Sequence, residues 1–326
     1  MEPLAGFTPA VTKRPLQNTS RPPITGGGST GEACFPRAGF GWGFHGGGLL
    51  PPCLLPPCFL YDFAVILKGK KIVIAGMSDR RSIGYAIAVE AQKEGAELLL
   101  TSFGRMMTIT QMTAKKLNPV PDILEMDVSK PSDIAAAVEE TGKRWDRVDG
   151  LVHSVAYAPP DALGGKFLTT PWESVATAIQ ISAFSFKELA AGFLPLMREH
   201  GGSLVTLDFD NSTQAWPKYD WMGVSKAALE SVTRYLARDL GRYKIRANAI
   251  CAGPLATLAA SGIPGFKDFE EVWSLRAPMG WDLQDRTPVG RAACALLSDY
   301  LNMTTGELVH VDGGYHAMGA DLPPAD

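Results

Sequence analysis

From residue 70 onward the chain alternates short apolar runs with segments of helical periodicity. Lys70–Gly76 is an apolar run closed by glycine, and Tyr85–Gly95 carries apolar positions at helical spacing with a glycine stop. Glu97–Ser102 is the next strand pattern, followed by a helix around 108–116 and a third strand over 122–128. Residues 132–147 predict a helix, and 149–156 a fourth strand that ends in small residues. A long helical pattern covers 172–198. Strand 203–207 follows, then a helix running from about Tyr219 to Gly241. Strand 245–250, a helix over 289–301 and a last strand and turn over 306–314 complete the series. Seven strands alternating with helices predict one Rossmann-like, doubly wound parallel sheet with helices on both faces.

The first strand–loop–helix–strand is a βαβ unit of the kind that opens a dinucleotide-binding fold. Gly76 and Gly84 flank its loop, with Ser82 and Ile83 inside. The spacing is not G-x-G-x-x-G, so an ordinary βα turn remains open. No acid follows the second strand, which ends Thr101–Ser102–Phe103–Gly104–Arg105. Arg105 fits a 2′-phosphate or a solvated side chain, and leaves NADH against NADPH undecided. Asp127 stands where it can meet an adenine amino group or cap the next helix, though Ser129 and Ser132 are better placed to cap. His153 reads as a packed strand residue.

Tyr219 and Lys226 carry the candidate chemistry. Seven helical residues make about 700° of turn and roughly 10.5 Å of rise, so the two share a face. A lysine can reach back toward the tyrosine, and a nearby ammonium favours phenolate character. The phenol would then donate to a developing oxyanion.

Composition narrows the class. The 326 residues are 46% hydrophobic and 20% charged, with net charge −3. No basic run suggests a nucleic-acid partner and no apolar run reaches a membrane span. Five cysteines, three of them before residue 60, show neither disulfide nor zinc spacing, and no metal is expected. Residues 1–60 hold 10 of the 24 prolines and 11 of the 34 glycines. Residues 1–66 therefore read as a disordered extension. It is a targeting peptide, a docking tail, or the product of a start site placed too far upstream, with the last favoured. A catalytic domain over 67–320 follows, then a short tail over 321–326.

Several motifs in this order resemble one family: Gly76…Ser82–Ile83, Asp127–Val128, His153–Ser154–Val155–Ala156, Tyr219-x6-Lys226, Ala252–Gly253–Pro254, Thr257–Leu258–Ala259–Ala260–Ser261 and Val311–Asp312–Gly313–Gly314. They are similar to enoyl-acyl-carrier-protein reductase of the FabI type, in the short-chain dehydrogenase/reductase superfamily. The x6 spacing separates that family from ordinary members with x3. Asp208–Phe209–Asp210, Tyr219–Asp220–Trp221–Met222 and Arg276–Ala277–Pro278–Met279–Gly280–Trp281 resemble its actinobacterial branch, which includes the mycobacterial enzyme.

The resemblance implies NADH-dependent reduction of enoyl thioesters on acyl carrier protein in type II fatty acid biosynthesis, by a cytoplasmic homotetramer. It makes Tyr219 the catalytic tyrosine, Lys226 the holder of the nicotinamide ribose and Phe209 an aromatic near the hydride path. Gly76, Ser82, Ile83, Phe103, Asp127, Val128, Ser154, Val155, Ala156, Leu255 and Thr257 would contact the cofactor. Ala158 and Met222 would face the acyl chain, together with Tyr219. Three positions depart from the pattern: Ala156 replaces a frequent glycine, Leu255–Ala256 a frequent Ile–Arg, and Phe209 lacks a hydroxyl that some members carry. A lid is expected over about 255–285, with a loop at 262–275 shorter than in the long-chain mycobacterial enzyme, which favours ordinary acyl chains. Two rivals stay in view. One is a carbonyl reductase of the superfamily, with Thr206 at the offset of its usual serine. The other is a non-catalytic dinucleotide sensor.

Overall fold

The structure, a computed structural model, describes residues 65–209 and 213–322. The expected extension, apart from Val65 and Ile66, lies outside the described residues, as do Asp210 and the end of the tail. Within them the strands are β1 (Lys71–Ala75), β2 (Glu97–Ser102), β3 (Asp122–Glu125), β4 (Gly150–His153), β5 (Gly202–Asp208), β6 (Ile245–Ala252) and β7 (Leu308–Val311). The helices are α1 (Ile83–Lys93), α2 (Met106–Ala114), α3 (Pro131–Arg144), α4 (Trp172–Ile179), α5 (Ser185–Phe193), α6 (Asp220–Leu240), α7 (Phe266–Arg276) and α8 (Thr287–Leu297).

The strands form one sheet in the order β3-β2-β1-β4-β5-β6-β7, and every pairing is parallel. Parallel strands need crossovers, and the helices that supply them cover both faces. Successive residues of β1 therefore enter different cores. Ile72 and Ile74 join Ile87, Ala91, Val289 and Ala293 of α1 and α8. Val73 and Ala75 join Ile134, Phe186, Leu229 and Leu236 of α3, α5 and α6. A strand buried on both faces has to be apolar throughout, which explains the run at 72–75. The strand order reverses between β1 and β4, the place where such sheets bind ligands.

Two expectations are corrected. The pattern over 172–198 is not one α-helix. A π-helical turn, Gln180–Phe184, separates α4 from α5, and Pro195 lies in a 3₁₀ turn beyond Phe193. The buried Ser182 in that turn accepts the Tyr157 N–H at 2.9 Å and donates to the Tyr157 carbonyl at 2.8 Å, tying it to the β4 exit. The segment expected as a lid loop contains helix α7, whose Phe269 and Trp273, one turn apart, are both buried.

Candidate active site

The crevice at the carboxyl ends of β1 and β4 is shaped by Gly76. Its φ is +92°, and a Cβ there would lie 2.2 Å from the Ser154 carbonyl oxygen. Glycine alone lets the two strand exits come this close. Ser82 caps α1: its hydroxyl accepts the Tyr85 N–H at 3.2 Å and donates to the Asp79 carbonyl at 2.7 Å. The first turn of α1, which begins at Ile83, carries no acid, so its free N–H groups and dipole are open to an anion. Ser154 and Val155 are half-buried at the β4 exit, and Ala156 and Phe103 are exposed. The Val128 and Leu255 side chains are buried, one in each of the two cores that flank the sheet. The Thr257 hydroxyl accepts the Ala260 N–H at 3.0 Å.

Asp127 is held by its own loop. Burial works to raise its pKa, but hydrogen bonds from the Ser129 hydroxyl and N–H, with Lys130 nearby, hold the carboxyl below its usual value. Ser129 and Ser132 do not cap α3, contrary to expectation. That helix starts with Pro131 and has no side-chain cap, because the Ser129 hydroxyl is engaged by Asp127.

Tyr219 sits at the N-cap of α6 rather than inside it. Its neighbours Lys218 and Asp220 have φ of 65° and 42°, left-handed values uncommon for such residues. The Asp220 carboxylate accepts the Gly165 and Lys166 N–H groups at 2.6 and 3.0 Å, which holds the turn. Tyr219 is 7% exposed and packs with Ala158, Ala178 and Met222. The Phe209 ring meets it at 5.4 Å and 61°, and Phe269 of α7 lies 5.6 Å from Phe209 at 87°. Trp216 and Trp273 extend this aromatic wall. Trp273 stacks on Tyr315 at 3.9 Å and donates to the Asp312 carbonyl at 3.1 Å.

Lys226 is 6% exposed, and its Nζ donates to the Leu207 carbonyl at 2.6 Å. The expected acidification of the phenol is absent. Burial pushes the Tyr219 pKa above its ordinary value, and the charge of Asp208 pushes it the same way. The phenol stays neutral, a donor and not a phenolate. Burial also lowers the Lys226 pKa, against the opposing pull of Asp208. His153 is a packed residue, as read. Its ring nitrogens lie 2.8 Å from the Thr206 and Ser185 hydroxyls, and burial pushes its pKa down to about 3.

The aromatic wall and Arg286 were missed in the sequence. The Arg286 guanidinium donates to the carbonyls of Arg81, at 3.0 Å, and of Ala256, joining the α1 loop to the β6 exit. The Phe269/Trp273 spacing of four was a usable signal. Arg286, 205 residues from Arg81, had none.

The donor set suits a dinucleotide: a glycine crevice at the strand reversal, an acid-free helix start and a buried ammonium. Comparison with known proteins agrees. A curated relative from Mycolicibacterium smegmatis, named "Enoyl-[acyl-carrier-protein] reductase [NADH]", is 40% identical over 264 residues, covering 76% of this chain and 97% of its own. One of the same name from Mycobacterium avium is 40% identical over 264 residues, covering 77% and 97%. "Enoyl-[acyl-carrier-protein] reductase [NADH] FabI" of Aquifex aeolicus is 38% identical over 260 residues, covering 78% and 94%. The family model described as "Enoyl-(Acyl carrier protein) reductase" matches residues 76–316, and with these relatives it establishes that the chain belongs to the enoyl-acyl-carrier-protein reductase family.

Proposed function

We propose that this protein reduces trans-2-enoyl thioesters on acyl carrier protein to saturated acyl thioesters, with NADH, in type II fatty acid biosynthesis. The observation that supports this most is a neutral, buried phenol beside an apolar pocket, seven residues before a buried lysine at the dinucleotide crevice. When bound, the reduced nicotinamide supplies a hydride for the β-carbon. Negative charge then gathers on the thioester carbonyl oxygen, and the Tyr219 hydroxyl donates to it. A phenol kept above its ordinary pKa remains protonated for that donation at any physiological pH. Lys226 holds the cofactor ribose. Gly76, Ser82 and Ile83 take the pyrophosphate end, Phe103, Asp127 and Val128 the adenosine end, and Ser154, Val155, Ala156, Leu255 and Thr257 the remainder. Phe209, Ala158 and Met222 line the acyl side. The catalytic unit spans 67–320, with a lid over 255–285 that includes α7, and its short connection suits ordinary acyl chains.

The carbonyl-reductase reading loses its partner hydroxyl, because Thr206 is engaged by His153. We place the enzyme in the cytoplasm as a homotetramer; among the described residues no helix is long and apolar enough to cross a membrane. Exposed Leu168, Trp172, Phe184 and Tyr235 offer apolar surface for subunit contacts. The test is NADH oxidation with a short trans-2-enoyl thioester, with light scattering for the assembly. Thioester-dependent turnover supports the reading. NADH binding without turnover on any enoyl thioester overturns it.

A further inference from the structure

Behind the site lies a buried charge cluster that the mechanism does not use. Asp208, the last residue of β5, is 5% exposed. The neighbouring Phe209 N–H helps to hold its charge, but neither of its carboxylate oxygens has a side-chain hydrogen-bond partner among the described residues. Glu230, one turn after Lys226 on α6, is 4% exposed, and its Oε1 is equally without one. Its Oε2 lies 3.6 Å from Arg234 at the rim. Glu230 lies close enough to Asp208 for its carboxyl to add to the rise in the Asp208 pKa. Two bare carboxylates in that position have no hydrogen between them, and unpaired buried charge is costly.

We propose that Asp208 and Glu230 share one proton, and that this acid pair, carrying a single negative charge, positions the Lys226 ammonium for its cofactor contact. Lys226 donates to the carbonyl of Leu207, the residue joined to Asp208, so the pair and the ammonium are held on the same stretch of β5. Three further titratable groups face this cluster, besides the rim guanidinium of Arg234. The Tyr219 phenol and His153 on β4 are neutral at physiological pH, and the buried Cys251 thiol lies beside Asp208 on β6. Burial pushes the Asp208 carboxyl up to about 8, although Lys226 pulls the other way and Glu230 adds to the rise. Asp208 and Glu230 act through Lys226 and are positioning residues. The cofactor part of the proposal rests on the functional reading above.

The sign follows from the raised pKa. A carboxyl titrating higher when folded contributes stability that is complete below its unfolded value, about 3.9, and lost as pH rises through about 8. The experiment is melting temperature of the cofactor-free protein, and NADH affinity by fluorescence, from about pH 4 to just above the folded value of about 8. The proteins are wild type, Asp208→Asn, Glu230→Gln and the double variant. In each single variant an amide N–H replaces the shared proton and one negative charge remains. Both single variants are expected to lose the fall in melting temperature that wild type shows as pH rises through this window toward about 8. The double variant leaves Lys226 uncompensated and is expected to bind NADH about tenfold or more weakly than either single, a difference of about 1.4 kcal/mol. A fall over the same window that persists in both single variants overturns the proposal, as does a double variant that binds like the singles. If Asp208→Asn fails to fold, the Glu230→Gln melting profile decides alone. If wild type binds no NADH, the functional reading fails, and the melting profiles still decide on the acid pair.

Discussion

The two halves of the site are built by different means. The cofactor half, at the exits of β1 and β4, is backbone: a glycine at φ +92°, a capped helix start and strand ends. The substrate half, where β5 gives way to α6 under α7, is side chain: Phe209, Trp216, Tyr219, Phe269 and Trp273 ring against ring. The first half depends on conformations few residues can adopt. The second depends on shape filled by large ones. Substitutions should therefore separate the halves by what they damage.

The largest effect is expected at Trp273. Trp273→Ala removes a fully buried ring that joins α7 to Tyr315 and Asp312, and should cost about 3–5 kcal/mol, read as a fall in melting temperature. NADH binding by the protein that remains folded should be retained; a loss of both together would show that the halves are not separable. Tyr219→Phe comes next. It keeps the packing and removes the donor, so turnover should fall by roughly 10²–10³, about 2.7–4 kcal/mol, with NADH affinity unchanged. Full turnover in this variant would end the role given to the hydroxyl. Gly76→Ala is expected to act on the other half. Left-handed backbone costs about 1–2 kcal/mol, and the Cβ adds a collision with Ser154. NADH affinity should weaken while the Phe269–Trp273 region keeps its tryptophan fluorescence. The smallest effect is in acid. His153 folds neutral with its pKa near 3, against about 6.5 unfolded. Its contribution is present above the unfolded value and declines as pH falls from there toward 3. His153→Gln should flatten that limb in a pH series of melting temperatures.

The same division sets what the sequence disclosed. Short apolar runs between segments of period 3.6 predict all seven strands, because a strand covered by helices on both faces must be largely apolar along its length. Tyr219 and Lys226 were found by spacing, and Gly76 by its place after a strand. The inventory of the aromatic wall was not found, since Trp216 and Trp273 become neighbours only through tertiary packing. The phenol's chemistry was misjudged for a related reason. Spacing gives proximity along a helix, but burial and the position of Asp208 decide the proton, and neither is visible in the Tyr219–Lys226 interval. Asp220 likewise reads as an ordinary helix-start acid, while its carboxylate actually holds the 165–166 backbone.

The π-helical turn between α4 and α5 works as a phase shifter. One added residue in a turn rotates everything after it by about 100° relative to a regular helix. Upstream, Ala178 faces the Tyr219 pocket. Downstream, Phe186, Leu189 and Phe193 face the sheet. A regular helix has one apolar stripe and would have to choose between these two destinations. The extra residue lets a single chain segment serve both, so the pocket wall and the core can vary in sequence independently of each other.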